Sequence, residues 1–249
     1  MAESFGLDAE RYDRARPPYP DELITRIIGA SPGREVLSVG CGTGIDARQF
    51  ADAGCHVLGV DPDARMAEVA RRGGIAVEVA KFEDWDPAGR TFDIVAAGQA
   101  WHWVDPAAGS AKAAEVLRPN GLLAVYAHVF APPVEVAEPF AEVFQRVVPD
   151  APFVQPTTGV VELHQAGFRK HGDAFGPAFG EPEQWRFDWE RRYTRDEWLA
   201  LLPTTGGLTR VPADKLAAIL EVVGAAIDDL GGEFTMPYTT LAVTAKRVG

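Results

Sequence analysis

The chain has 249 residues, 47% of them hydrophobic and 24% charged, a balance that excludes disordered, fibrous and repeat classes. Its 24 basic and 36 acidic side chains give a net charge of −12, with no long basic run, which argues against a nucleic-acid backbone as the main partner. Two cysteines, Cys41 and Cys55, stand in neither a C-x-x-C pair nor a metal-ligand spacing, so no disulfide framework and no metal site is expected.

The elements then follow in chain order. Met1 to Glu10 carries acidic residues and no apolar segment, and the strongest apolar stretch, residues 121–131, falls far short of the ~20 residues that span a bilayer. No membrane partner is expected, and a reducing, cytoplasmic location is. Val36 to Val39 is a short strand-type run ending in glycines, residues 45–53 read as a helix, and Cys55 to Val60 is a second strand. Asp61 suits a helix N-cap with Pro62 at the first helical position, and that helix closes at Gly73-Gly74. Strands follow at 75–79, 92–97 and 122–129, with a helix over 106–117.

Strands alternating with helices of this length imply right-handed crossovers and a doubly wound α/β sheet that binds ligands at the carboxyl ends of its strands. A helix over 134–148 precedes a stretch rich in Pro, Gly and Phe up to Pro182, read as an irregular insertion that covers one sheet edge after the fifth strand. Residues 186–193 alternate like a strand, Thr194 to Glu197 is a capping-box start, 212–230 is a long helix, and 234–246 is a final strand. The predicted organisation is one domain over 1–249. It comprises a helical cover (1–30), a cofactor-binding core (31–130), a cap (131–182) and a segment completing a mostly parallel, seven-stranded, Rossmann-like sheet (183–249).

The chemistry-bearing signal is Gly40-Cys41-Gly42-Thr43-Gly44, directly after a strand. Glycine has no Cβ, so the backbone can turn sharply and a ligand can approach the main chain closely. The spacing is G-x-G-x-G, with the third glycine one place earlier than in the dinucleotide fingerprint. Asp61 ends the next strand, where a carboxylate can accept hydrogen bonds from both hydroxyls of a ribose. Glycine turn plus acid reads as nucleoside-binding.

Several blocks occur in the order Tyr12-Asp13-Arg14-Ala15-Arg16-Pro17-Pro18-Tyr19-Pro20, the glycine turn, Gly59-Val60-Asp61-Pro62, Phe82-Glu83-Asp84-Trp85, Phe92-Asp93-Ile94-Val95, Gln99-Ala100-Trp101-His102-Trp103 and Val116-Leu117-Arg118-Pro119-Asn120-Gly121. In these the chain resembles the class I S-adenosylmethionine-dependent methyltransferases, especially the small-molecule "type 11" branch that includes trans-aconitate methyltransferase. The resemblance covers Tyr12 to about Val129 well and the rest in outline. It departs at Ser38, where the family usually has an acidic residue, and at Asn120-Gly121, which replaces a double glycine in a turn that tolerates positive φ.

The resemblance implies that Gly40, Cys41, Gly42 and Gly44 line the methionine and ribose portion of S-adenosylmethionine and that Asp61 holds the ribose. It also implies that Pro62, Met66, Phe82 and Glu83 bracket the adenine, that Gln99 meets the amino-acid portion, and that Tyr12, Arg16 and Tyr19 close the site. S-adenosylhomocysteine would be the product, and a small molecule the methyl acceptor. His102 is the candidate base for a hydroxyl or amine acceptor, with Trp101, Trp103, Tyr126 and His128 as candidate acceptor contacts. The alternative, which the residues alone favour over a catalytic histidine, is that the two indoles are core and His102 a satisfied partner or a surface residue. Tyr126 and His128, two apart on one strand, share a face, so both or neither reach the cleft. Ser38 and the lack of an obligatory acid–base pair leave open a catalytically silent cofactor-binding protein; the glycine spacing counts against a nicotinamide enzyme.

Overall fold

The computed structural model describes residues 6–149 and 159–249. Its seven strands are β1 (Glu35–Val39), β2 (His56–Asp61), β3 (Ala76–Val79), β4 (Phe92–Gly98), β5 (Leu117–Phe130), β6 (Glu183–Thr194) and β7 (Glu233–Lys246), in the order β3-β2-β1-β4-β5-β7-β6. β1 to β5 pair in parallel, and β7 inserts antiparallel between β5 and β6. The strand order reverses between β1 and β4, the crevice where open α/β sheets bind ligands.

Alternation within the strands divides the core between two faces. Leu37, Val95, Leu123 and Val243 point to one, where they pack with α5 (Pro106–Val116) and α7 (Val160–Asp173). Val36, Ile94 and Ala124 point to the other, under α2 (Asp21–Ala30) and α3 (Ile45–Asp52), where Leu23, Ile27 and Phe50 are fully buried. β6 and β7 run beyond the sheet as a two-stranded ribbon. There Tyr193, Phe234, Met236 and Tyr238 form a third apolar cluster with α6 (Val134–Val147), α8 (Arg195–Leu201) and α9 (Ala213–Asp229).

Two expectations need correction. Asp61 is the last residue of β2 and not a helix cap: α4 (Ala64–Arg72) is capped by Asp63, whose carboxylate accepts from the Arg65 N–H, and Pro62 lies outside the helix. Asp61 is drawn off by two other N–H donors, described below. The stretch after α6 is not wholly irregular, because α7 lies on the β5–β7 face rather than at the sheet edge. Its signal is weak because Phe168 and Gly172 alone are fully buried on it; Gly172 fits where a Cβ would come within 3.0 Å of Pro182 and Val243. Residues 150–158 of the expected insertion fall outside the described residues. The capping box is as read, with Thr194 and Glu197 exchanging hydrogen bonds at the start of α8.

Candidate active site

A cavity of about 720 Å³ opens at the carboxyl ends of β1, β2, β4 and β5. Its floor is main chain. Gly40 has φ +60° and lies so close to the start of the turn after β4 that a Cβ there would sit 2.5 Å from the Ala100 Cβ. The Gly40 N–H donates to the Val60 carbonyl, which fixes the turn against β2. Gly42 (φ +54°) faces Met66. Gly44 has a different job: at φ +84° it starts α3 and lets that helix pack against Ala70 of α4, and it does not line the cavity.

Asp61 is buried, and its oxygens each take one backbone donor, Oδ2 from the Gly42 N–H at 2.8 Å and Oδ1 from the Asp63 N–H at 2.8 Å. Burial raises its pKa, while the two N–H donors pull it back. A carboxylate oxygen accepts two hydrogen bonds, so each retains a lone pair for a ligand. Apolar plates flank it, Met66 at 5% and Phe82 at 3% exposure, with Pro62, Glu83 and Lys81 completing that end. Glu83 is anchored by accepting the Asp105 N–H at 2.8 Å.

These walls fit a nucleoside with an attached chain: bare main chain at Gly40 and Gly42, both at positive φ, a carboxylate with capacity to spare, and apolar faces for a base. Residues of this chain that could hold S-adenosylmethionine are therefore Gly40, Gly42, Asp61, Met66 and Phe82.

At the opposite end β4 passes into Gln99, a non-glycine residue at φ +54°, a strained backbone of order 1–3 kcal/mol. It is held by two bonds to β5, its N–H donating to the Tyr126 carbonyl at 2.8 Å and its Oε1 accepting the His128 N–H at 2.6 Å. His102 and Trp103 stand at the exposed rim, their rings 4.5 Å apart. Partial burial of the His102 ring, and to a lesser degree repulsion from His171, lowers its pKa, so the imidazole is neutral at pH 7. Arg16 reaches across the top, donating from Nε to the Thr204 hydroxyl at 3.0 Å and from Nη2 to the Thr204 carbonyl at 2.7 Å. Its guanidinium also sits 4.9 Å from the Tyr12 ring, so Arg16 acts as a clasp over the cavity.

Of the residues singled out by sequence, Tyr12, Arg16, Gly40, Gly42, Asp61, Pro62, Met66, Phe82, Glu83, Gln99, His102 and Trp103 line this cavity. Tyr19, Cys41 and His128 border a small recess of about 50 Å³ beside it. Cys41 turns its thiol toward Gly59, and burial raises the thiol's pKa. Trp101 and Tyr126 reach neither space. Trp101 is core at 2% exposure, edge-on to Phe175. Tyr126 donates its hydroxyl to the Asp46 carboxylate at 2.6 Å. His128 does share its face with Tyr126, but Tyr19 stacks on it at 4.4 Å and shields it from the cavity.

Residues not anticipated include Lys81, Gly98, Ala100, Phe130, Thr205 and Gly206 in the wall, and Asp46 behind it. Asp46, from the first turn of α3, accepts from Ser38 at 3.1 Å as well as from Tyr126. A buried carboxylate thus stands beside Ser38, 8 residues later in the chain. Burial raises its pKa, and the Tyr126 and Ser38 bonds oppose the rise.

Comparison with known proteins agrees with this architecture. Residues 36–121 match the family model described as a methyltransferase domain. An uncharacterized methyltransferase of Mycobacterium tuberculosis is 37% identical over 131 residues, 49% of this chain and 51% of that protein. A ubiquinone biosynthesis O-methyltransferase of a Bradyrhizobium species is 35% identical over 111 residues, 42% of this chain and 44% of that one. The chain thus spans about half the length, or less, of these curated relatives.

Among solved structures, one from Anaeromyxobacter dehalogenans, provisionally described as a type II methyltransferase, superposes with a TM-score of 0.66 at 26% identity over 93% of this chain and 97% of that one. A Haemonchus contortus phosphoethanolamine N-methyltransferase, solved with phosphomonomethylethanolamine and S-adenosylhomocysteine, shares the fold at TM-score 0.52 and 16% identity, over 100% of this chain and 60% of that one. By sheet order, glycine turn and these matches, residues 36–121 are similar to the core of a class I methyltransferase domain.

Proposed function

We propose that this chain transfers a methyl group from S-adenosylmethionine to an oxygen or nitrogen of a small organic molecule. The observation that carries the reading is the pairing of bare main chain at Gly40 and Gly42 with Asp61, whose two oxygens keep free lone pairs toward the same cavity. S-adenosylmethionine supplies an activated sulfonium methyl group when bound. Asp61 accepts the ribose hydroxyls, Met66 and Phe82 sandwich the base, and Glu83 and Pro62 border it. Gln99, held in its left-handed conformation by β5, and the Gly40 turn position the amino-acid end, with Tyr12 and Arg16 above.

An in-line displacement needs no covalent intermediate on the protein, so its contribution is alignment and exclusion of water, an effect of about 7–11 kcal/mol when reactants are held at near-attack distance. His102, neutral at pH 7 because its pKa is lowered, is the group at the acceptor end able to take a proton from a hydroxyl or amine; a carboxylate acceptor would need none. Trp103 beside it borders the acceptor. A cavity open at the rim and an acidic overall charge support a small, diffusible acceptor rather than a nucleic acid. Among the described residues no helix is long and apolar enough to cross a membrane.

The test is calorimetric. S-adenosylhomocysteine at ~100 times its dissociation constant is expected to stabilise the fold by about 2.7 kcal/mol and to raise the melting temperature accordingly. A melting temperature unmoved by either cofactor form overturns the reading.

A further inference from the structure

A second enclosed space, of about 180 Å³, lies beyond the acceptor end of the cavity. Val136, Phe140 and Phe144 of α6, Trp198 of α8 and Leu202 and Leu208 from the turn that follows form its walls. It adjoins the main cavity, since Phe130, Thr205 and Gly206 line both. The charge distribution differs sharply between them. The main cavity is lined by Arg16, Asp61, Asp63, Lys81 and Glu83, whereas among the described residues no ionisable side chain lines the second.

The hydroxyl of Thr205 donates to the Leu202 carbonyl at 2.7 Å, so its proton is already committed. A polar group entering would lose water and find little to replace it, which is costly, whereas hydrocarbon would fill the space at a gain. Apolar cavities of this size stay dry and take apolar ligands. Position matters too. Phe130 ends β5, three strand spacings or roughly 14 Å across the sheet from Asp61 at the end of β2. The space therefore serves the far end of whatever lies beyond the nucleoside.

We propose that the methyl acceptor carries a hydrocarbon arm that enters this space past Phe130, with its polar, methyl-accepting head left beside His102 and Trp103. The inference rests on the methyltransferase reading and names its substrate class. At about 30 Å³ per water-sized group, the space holds an arm of roughly six heavy atoms, alkyl or aryl. The walls come from α6, α8 and the turn after α8, none of which belongs to the core matched as a methyltransferase domain. The acceptor's arm is thus chosen by a part of the chain distinct from the part that holds the cofactor.

A series of 4-alkylphenols, from ethyl to octyl, tests this by titration calorimetry against the protein with and without saturating S-adenosylhomocysteine. Affinity should rise about fourfold for each added methylene and level off near six carbons. Val136→Phe and, separately, Leu208→Phe fill the space from opposite walls; each should abolish the chain-length dependence while leaving the S-adenosylhomocysteine affinity unchanged, which also certifies that the variant is folded. A flat series in the parent protein, or a chain-length gain that survives both filled variants, overturns the proposal. Failure of S-adenosylhomocysteine to bind while the alkyl series still shows its gain overturns the methyltransferase reading instead, so the two failures are separate results.

Discussion

The two ends of the cavity are built from different materials. At the β1–β2 end the polar ligand-facing surface is main chain at two residues of the glycine turn, Gly40 and Gly42, and one carboxylate, held by hydrogen bonds between adjacent strands, with Met66 and Phe82 beside them. At the β5 end it is side chains: Phe130 and Trp103 in the cavity, aromatic and aliphatic residues of α6 and α8 around the adjoining space, and α9 packed behind them. A backbone cradle depends on conformations that only a few residue types adopt, so it is written as fixed spacings. A wall of rings requires only apolar volume, which many residues and many chain segments can supply. The two ends should consequently respond to substitution in separable ways.

The largest effect is expected from the cap. Ile219 is fully buried on α9 with Val223 and Ile227, and Ile219→Ala should cost about 2–5 kcal/mol of stability. For a chain of this size that lowers the melting temperature by roughly 2–4 °C per kcal/mol, readable by scanning calorimetry. S-adenosylhomocysteine affinity measured well below the transition should not change. A parallel loss of affinity would erase the distinction between the ends.

Asp61→Ala attacks the other end. It leaves the N–H groups of Gly42 and Asp63 without acceptors and removes the ribose contact, a loss of about 1–3 kcal/mol, or some 10- to 100-fold in S-adenosylhomocysteine affinity by titration calorimetry. Retained affinity would remove the carboxylate from the proposed cofactor site.

A smaller effect sharpens the comparison through pH. Burial chiefly, with the Arg16 charge adding to it, pushes His128 on β5 down to about 3, while the carbonyls of Pro17 and Pro18 pull weakly the other way. Its Nδ1 bonds to the Thr240 hydroxyl at 2.9 Å, and its Nε2 has no partner of ordinary hydrogen-bond geometry among the described residues. Between about 3 and the unfolded value near 6.5 the unfolded chain binds a proton at this residue that the folded one refuses, so stability rises with pH in that window and falls on acidification. The slope from this one group is at most about 1.4 kcal/mol per pH unit. In denaturant titrations at pH 6 and pH 5, His128→Asn should be less acid-sensitive than the parent; an unchanged slope would mean that the imidazole is not held neutral.

How much was legible follows the same division. β1 to β5, the glycine turn and Asp61 are readable because a parallel sheet imposes continuous apolar strands and because positive φ at Gly40, Gly42 and Gly44 admits few substitutes. Asn120, at φ +62°, likewise occupies the conformation that its turn requires. Thr205 and Gly206 could not be read, because nothing local distinguishes them. They enter the wall only because Arg16, 188 residues earlier than Thr204, fastens that turn over the cavity. Trp101 and Tyr126 misled for the complementary reason: an aromatic side chain just beyond or near the end of a strand looks the same in sequence whether it faces a ligand or, like Trp101 against Phe175, the apolar core. Asp46 was hidden by helical position, since an acid in a first turn is ordinarily a dipole partner, and only the packing brings it to Ser38.

The clasp between Arg16 and Thr204 has a bearing on synthesis. A ribosome delivers residue 16 early and residue 204 late, and six strands of the sheet are made in the interval. All residues of the glycine-turn cradle are therefore made before the residue that fastens the roof above it.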